Sequence, residues 1–244
     1  PVLSVSNLEV TYYTDAGRAK ALDDVSFTLN AGEKLGMVGE SGSGKSTLAL
    51  AMMRMIKPPG RIEAGRVLVG GTDLMSLSEE DMRHARLSKI AYIPQGAMNS
   101  LNPVIRIGAQ LVDAIRSHAI RDSRALVEER CIDALKSVDL DPAVFRMYPH
   151  ELSGGMKQRV CIAIGILLQP QVIIADEPTS ALDVVTQRQV METIDRGKDK
   201  NKAADILIGH DMGLMAQFGT RGALSYSGRL GWASTLADGL NAPL

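Results

Sequence analysis

The chain has 244 residues, of which 45% are hydrophobic and 23% are charged, and its formal net charge is −1. This composition is typical of a globular protein with enough apolar material for a full core. It argues against an extended basic surface for nucleic acid and against a polybasic tail for lipid, local patches aside. No apolar run approaches the ~20 residues that a membrane-spanning helix requires, so any role at a membrane would come through a partner.

The first part of the chain alternates strand patterns with one helical pattern. Apolar and polar residues alternate over residues 3–10, and the turn-forming residues 14–17 separate this stretch from the next strand pattern. The predicted elements are strands at residues 3–10, 21–29 and 34–39, followed by a helix at residues 46–56. A Pro-Pro-Gly run at residues 58–60 ends that helix.

The middle of the chain becomes helical. Strands are predicted at residues 66–69 and 90–94, and Ser78 lies at a helix start between them. From residue 107 to about residue 144 the apolar residues recur with a helical period, and a further apolar helix is predicted at residues 158–168. The segment from about residue 96 to residue 164 is therefore expected to be almost free of strands.

Strand patterns return in the last part of the chain. Short apolar strands are predicted at residues 171–175 and 206–208, with a helical pattern at residues 184–194 between them. Strands thus alternate with helices at both ends of the chain, around a helical middle. This arrangement predicts an α/β sheet that carries a helical insertion.

A glycine-rich loop joins the third predicted strand to the first helix and matches the pattern G-x-x-x-x-G-K-[ST]. Its glycines let backbone N–H groups converge on phosphate oxygens, and the following helix directs the positive end of its dipole at the same anion. In this pattern Lys45 reaches the β- and γ-phosphates, and Ser46 ligates Mg²⁺. The predicted ATP-binding residues are Gly39, Glu40, Ser41, Gly42, Ser43, Gly44, Lys45, Ser46 and Thr47.

Two adjacent carboxylates, Asp176 and Glu177, follow the apolar strand at residues 171–175. Paired acids after a strand are common on protein surfaces, but beside a phosphate loop they suit metal binding and water activation. Asp176 at the strand end can hold Mg²⁺, usually through water, and Glu177 can orient or deprotonate the attacking water.

Five further motifs lie outside the phosphate loop. They are Gln95 at a strand end; Leu152, Ser153, Gly154, Gly155 and Met156 before an apolar helix; Asp176 with Glu177; Ser180, Ala181, Leu182 and Asp183; and His210 after a strand. In this order they resemble the Q-loop, signature, Walker B, D-loop and switch histidine of the nucleotide-binding subunits of ATP-binding cassette (ABC) transporters. Tyr12 lies where that family stacks an aromatic ring on adenine.

The resemblance spans nearly the whole chain and implies a fold. That fold is α/β, with a P-loop NTPase (RecA-like) core, an antiparallel β subdomain and an inserted α-helical signature subdomain. Residues 1–244 would form a single ABC ATPase domain. Residues 1–95 and 165–244 would belong to the core, and residues 96–164 would form the helical subdomain.

The resemblance also implies roles for individual residues. Glu177, His210, Lys45 and Gln95 would be catalytic, and Mg²⁺ would be held by Ser46, Gln95 and Asp176. The signature from Leu152 to Met156 would cap ATP held by the other subunit of a head-to-tail dimer. Elementary physics agrees, because Ser153 and the two glycines open a helix and helix N-termini attract anions.

Residues 92–103 and 148–151 resemble the dipeptide, oligopeptide and nickel importer branch of the family. This branch implies ATP and Mg²⁺ as cofactors and a place at the cytoplasmic face of the cell membrane. The implied partners are a second ATPase subunit, identical or related, transmembrane permease subunits and, indirectly, a substrate-binding protein, with no nucleic acid. Two alternatives are a soluble ABC ATPase of DNA repair or translation and a regulatory module that binds ATP without hydrolysing it.

One detail departs from the family pattern. Gly209 stands where the family usually carries threonine, which loosens the backbone before His210. Cys131 and Cys161 lie in apolar helical runs and are expected to be buried thiols of a reducing compartment. Neither lies in the C-terminal region where close relatives sometimes hold an iron–sulfur cluster, so no cluster is predicted.

Overall fold

The structure is a computed structural model that describes residues 1–15, 17–118, 120–179, 187–188, 192, 202–210, 221–226 and 229–233. The strands in these ranges are β1 (Leu3–Thr14), β2 (Gly17–Leu29), β3 (Lys34–Gly39), β4 (Gly60–Val69), β5 (Thr72–Asp73), β6 (Ile90–Ile93), β7 (Val172–Asp176), β8 (Ala204–Ile208), β9 (Arg221–Tyr226) and β10 (Arg229–Ala233). The α-helices are α1 (Lys45–Met52), α2 (Glu79–Ser88), α3 (Ile107–Arg116), α4 (Arg124–Ser137) and α5 (Gly154–Ile166). Short 3₁₀ helices lie at Leu74–Ser76, Ala97–Asn99, Pro142–Arg146 and Pro149–Glu151.

The smaller sheet is antiparallel, with the strand order β2-β1-β4-β5. Its buried face follows the alternation seen in the sequence, since Val5, Leu8 and Val10 of β1 are all buried. The β1–β2 pairing continues to Thr14 opposite Gly17, so both strands are longer than predicted. The extra residues are polar or exposed and are held by ladder hydrogen bonds, which apolar alternation does not reveal.

The larger sheet has the order β10-β9-β3-β8-β7-β6, and its strands run parallel from β9 through β6. Every residue of β7 and β8 is buried, and all of them except Asp176 and Asp205 are apolar, as expected for parallel strands covered on both faces. Because these strands are parallel, the carboxyl ends of β3, β6, β7 and β8 meet at one edge of the sheet. That edge carries the phosphate loop, Gln95, Asp176 and His210.

The segment between β6 and β7 is helical, as predicted, but the helical period over residues 107–144 is interrupted. α3 and α4 are separated at residues 117–123. The ring nitrogens of His118 face the carbonyl oxygens of Arg86 at 2.7 Å and Ala114 at 2.9 Å, which ties the end of α3 to α2. No helix in the described ranges is long and apolar enough to cross a membrane.

The last of these helices, α5, begins at Gly154, earlier than the predicted start at residue 158. Ser153 is its N-cap, and the Ser153 hydroxyl accepts a hydrogen bond of 3.3 Å from the backbone N–H of Met156. Cys161 on α5 and Cys131 on α4 are buried free thiols, as predicted. Burial raises the pKa of each thiol to about 11, so both are poor nucleophiles.

Glu33, in the turn between β2 and β3, joins that turn to β9. One carboxylate oxygen accepts from the backbone N–H of Asn30 and the other from the guanidinium of Arg221, both at 2.8 Å. Burial raises the pKa of Glu33, but the hydrogen bonds from Asn30 and Arg221 outweigh it, and the pKa lies below its ordinary value. This contact therefore stabilises the fold above the ordinary glutamate pKa, and its contribution is lost as pH falls.

We expect Glu33→Gln to lower the free energy of unfolding by about 1–3 kcal/mol at pH 7, because hydrogen bonds to a charged acceptor are lost. The difference should shrink as pH falls below the ordinary glutamate pKa, because the stabilisation by the wild-type carboxylate is then progressively lost. Urea unfolding at pH 7 and pH 3 measures both values. Glu129→Gln, at an exposed position of α4, is the matched control. A deficit of equal size at the two pH values would contradict the assigned ion pair.

Candidate functional site

The phosphate loop connects β3 to α1 at the carboxyl edge of the larger sheet. Gly44, the N-cap of α1, has a φ of +98°, a conformation that residues with a side chain rarely adopt. A Cβ at Gly44 would lie 2.6 Å from the carbonyl oxygen of Ala21 on β2. The loop can therefore close against β2 only because this residue is glycine, as the sequence pattern requires.

Lys45 is buried inside the loop, with 6% of its surface exposed. Its ammonium donates to the carbonyl oxygens of Gly39 and Glu40, each at 2.7 Å, and lies 3.3 Å from the Ser43 hydroxyl. Burial lowers the pKa of Lys45, while the nearby carboxylates of Glu177 and Asp176 work against that shift. The loop thus encloses a cation that can bind a polyphosphate anion, and two acids lie beside it.

Asp176 ends β7 and is 2% exposed. Burial raises the pKa of Asp176 above its ordinary value, and interactions with the side chains of Ser46 and Tyr92 only partly oppose that shift. The Tyr92 hydroxyl donates to Oδ2 at 3.1 Å, and Oδ1 is buried with no hydrogen-bond partner. A buried carboxylate oxygen left without a donor is costly in an empty site and fits one that binds a cation.

The ends of three neighbouring strands bring together Gln95, Glu177 and His210, three of the residues predicted to be catalytic. Gln95 Nε2 donates to Glu177 Oε2 at 2.6 Å, and His210 Nε2 is in close contact with Glu177 Oε1. Because that contact is with a carboxylate acceptor, the proton of a neutral His210 lies on Nε2. Gln95 and His210 are exposed while Glu177 is half-buried, so the group is open to solvent on one side.

The backbone of Glu177 is held in an uncommon conformation. Its φ is +47°, in the left-handed region that residues other than glycine use sparingly. The N–H of Glu177 donates to the carbonyl oxygen of Ile208 at 2.8 Å, so β8 fixes this turn. Such local strain is common where a side chain must be aimed at a reacting group.

The signature residues lie at the start of α5. Ser153 and Gly154 are exposed, whereas Leu152 is buried and anchors the segment. Among the described residues, no hydrogen bond joins Ser153 to residues 39–47. The exposed first turn of α5 is therefore accessible to an anion.

Tyr12 lies on the face of the smaller sheet that packs on the core. Its ring lies beside Gly60, where there is no room for a Cβ, and Ile56 approaches the same position. Its neighbour Tyr13 points the other way, and its hydroxyl donates to Glu63 at 2.8 Å. The choice of Tyr12 over Tyr13 for adenine stacking stays a prediction. The D-loop prediction, Ser180, Ala181, Leu182 and Asp183, lies outside the described residues.

Tyr92 is a site residue that the sequence analysis did not single out. It stands on β6 opposite Ile174 of β7, and its side chain reaches Asp176 further along the same face. Only the pairing register of two strands far apart in sequence brings these side chains together. An apolar strand pattern gives no sign of it, because a tyrosine there is also an ordinary core residue.

A phosphate loop, a buried strand-end acid and a polar group at the carboxyl edge of a parallel sheet together define a nucleoside-triphosphate-binding protein of the P-loop class. The sequence matches the ABC transporter family over residues 22–180. The chain belongs to the ABC transporter family.

Several relatives are similar over most of both chains. A putative peptide import ATP-binding protein of Brucella abortus (strain 2308) is 43% identical over 231 residues, which cover 94% of this chain and 69% of the relative. The oligopeptide transport ATP-binding protein OppD of Salmonella typhimurium is 42% identical over 230 residues, 93% of this chain and 68% of OppD. The dipeptide transport ATP-binding protein DppD of Caldanaerobacter subterraneus is 40% identical over 230 residues, 94% and 71% of the two chains.

Solved ABC cassettes share the fold. A dimeric post-hydrolysis state of the ATP-binding cassette MJ0796, bound to ADP and Pi, superposes with a TM-score of 0.82 at 26% identity. The alignment covers 96% of this chain and 98% of that one. The predicted α/β cassette fold is confirmed.

Proposed function

We propose that the chain is the ATP-hydrolysing subunit of an importer that takes up peptides or related small solutes through partner membrane subunits. The observation that carries the proposal is the convergence of Lys45, Asp176 and the Gln95–Glu177–His210 group at one edge of the sheet. The peptide-import names of relatives that align along more than nine-tenths of this chain support the cargo class.

The phosphate loop binds the nucleotide. The Lys45 ammonium is held by the loop carbonyls, so its charge is already in place for the β- and γ-phosphates. The loop N–H groups and the start of α1 add donors for the remaining oxygens. Tyr12 is proposed to stack on the adenine ring.

The donor set fits Mg²⁺. Asp176 Oδ1 is a buried oxygen without a partner, and the Ser46 side chain interacts with the same carboxyl. Carboxylate, hydroxyl and amide oxygens are the hard ligands that Mg²⁺ prefers, so Asp176, Ser46 and Gln95 would hold it. When bound, the ion would neutralise charge that develops on the phosphates.

Hydrolysis is assigned to Glu177, which accepts a proton from the attacking water and aligns it. Both Glu177 oxygens already accept from Gln95 and His210, and each oxygen has a further lone pair that can accept from the water. The N–H at His210 Nε2 can donate to the carboxylate or to the γ-phosphate. The exposure of Gln95 and His210 leaves room for that water.

The subunit is proposed to work as a head-to-tail dimer with an identical or related chain. The exposed start of α5 offers Ser153 and its glycines to ATP bound by the other subunit. The dimeric structures of the cassette MJ0796 support a dimer. Closure of the dimer would act on the permease subunits, at the cytoplasmic face of the membrane. The movement would pass through Gln95 and the helices that follow β6.

Co-purification and reconstitution test this function. Tagged protein isolated from detergent-solubilised membranes should bring down two permease subunits. In vesicles, the complex should show ATP hydrolysis that rises when a peptide-loaded binding protein is added. Recovery of ribosomes or repair proteins, with salt-dependent nucleic-acid binding, would favour the soluble ATPase instead. Stoichiometric ATP binding without turnover would favour a regulatory module.

A further inference from the structure

Tyr92 joins two strands of the larger sheet through its side chain. It pairs with Ile174 in the parallel ladder, and Asp176 lies on the same face of β7 one pleat further on. The half-buried ring packs against the core cluster, and its hydroxyl donates to Asp176 Oδ2 at 3.1 Å. The phenol thus spans the distance from the middle of β6 to the end of β7.

Because of this hydrogen bond, the two carboxylate oxygens of Asp176 have different surroundings. Oδ2 accepts from the Tyr92 hydroxyl, and Oδ1 is buried without a hydrogen-bond partner. A carboxylate can rotate about its last torsion and present either oxygen, since that torsion is broad. The Tyr92 hydroxyl, held in place by β6, restricts that rotation together with the Ser46 side chain, which also interacts with this carboxyl.

We propose that Tyr92 is a positioning residue for the metal site, which anchors Oδ2 of Asp176 so that Oδ1 stays available to the Mg²⁺ of bound nucleotide. The inference rests on the proposed ATPase site. Groups that hydrogen-bond to metal-binding carboxylates typically change metal affinity by about 10- to 100-fold when they are removed. Tyr92 touches neither nucleotide nor water in this scheme and acts only through Asp176.

A purely structural role makes a different prediction. Removing only the hydroxyl leaves the ring in place, so Tyr92→Phe opens no cavity and should fold. If the hydrogen bond only braced β6 against β7, its loss would weaken nucleotide binding equally with and without metal. If it positions Asp176, only the gain in affinity that Mg²⁺ provides should change.

The experiment compares wild-type protein, Tyr92→Phe and the control Tyr13→Phe, which removes another tyrosine-to-carboxylate hydrogen bond far from β7. The affinity for a fluorescent non-hydrolysable ATP analogue is measured in EDTA and across a Mg²⁺ titration. The Mn²⁺ spectrum of each nucleotide complex is recorded by electron paramagnetic resonance, with Mn²⁺ replacing Mg²⁺. Thermal unfolding confirms that all three proteins are folded.

For Tyr92→Phe we expect unchanged affinity in EDTA, a half-saturating Mg²⁺ concentration raised about 10-fold, and broadened Mn²⁺ lines. Tyr13→Phe should match the wild type. An unchanged Mg²⁺ midpoint, or equal losses with and without metal, would overturn the role of Tyr92. A wild-type protein whose nucleotide affinity ignores Mg²⁺ would instead overturn the proposed metal site itself.

Discussion

Replacing Glu177 by glutamine should reduce ATP hydrolysis by about 100-fold or more while leaving ATP affinity nearly unchanged. The amide has the size of the carboxylate and its oxygen can still accept from either Gln95 or His210, so the fold and the phosphate loop are preserved. It cannot take a proton from water, so the loss falls on the chemical step. Because ATP then persists, the dimer should also accumulate in the closed form on size-exclusion chromatography.

The control for Glu177→Gln is Glu80→Gln, at an exposed position of α2. Turnover is followed by phosphate release, and binding by equilibrium titration with ATP. Normal binding together with unchanged turnover would contradict the role of Glu177. A parallel loss of binding and turnover would mean that the carboxylate holds the site together rather than aligning water.

The second large effect is expected from mixing two inactive variants. Lys45→Ala should lose nucleotide binding, since it removes the ammonium held by the loop carbonyls. Ser153→Glu should lose hydrolysis, because a carboxylate would face the phosphates of the partner's ATP. A glutamate is nevertheless favourable at a helix N-terminus, so α5 should still form.

Each variant alone should be inactive, and an equal mixture should regain roughly a quarter of the wild-type rate, because half the dimers then contain one intact composite site. Ser123→Glu replaces the N-cap serine of α4 and is a matched control that should stay active. If the signature acted on ATP of its own chain, the mixture would stay inactive. Recovery by mixing therefore distinguishes the two geometries.

Local patterns predicted those parts of the molecule whose causes are local. The phosphate loop could be predicted because a left-handed φ at Gly44 and a following helix leave few residue types possible. The buried strands β7 and β8 could be predicted from their apolar runs at residues 172–175 and 206–208, although β8 begins earlier, at Ala204. The sequence places Ser153 at a helix start, and in the structure its hydroxyl caps α5.

The remaining features depend on contacts between segments that are far apart in the sequence. The extensions of β1 and β4 depend on pairing with partner strands, so their polar ends gave no pattern. The break between α3 and α4 accompanies contacts of His118 with a distant carbonyl oxygen, which a helical period cannot register. The hydrogen bond from Tyr92 to Asp176 follows from the register of β6 on β7, and register is a property of two segments at once.

The contact between Gly44 and Ala21 has a mechanical consequence. The backbone carbonyl of Ala21 in the antiparallel sheet lies against Gly44 of the phosphate loop, with no side chain between them. The sheet that carries Tyr12 and the loop that holds Lys45 cannot shift independently without opening that contact. The predicted adenine-stacking ring of Tyr12 and the phosphate-binding loop would therefore keep a fixed spacing, which depends on the absence of a side chain at Gly44.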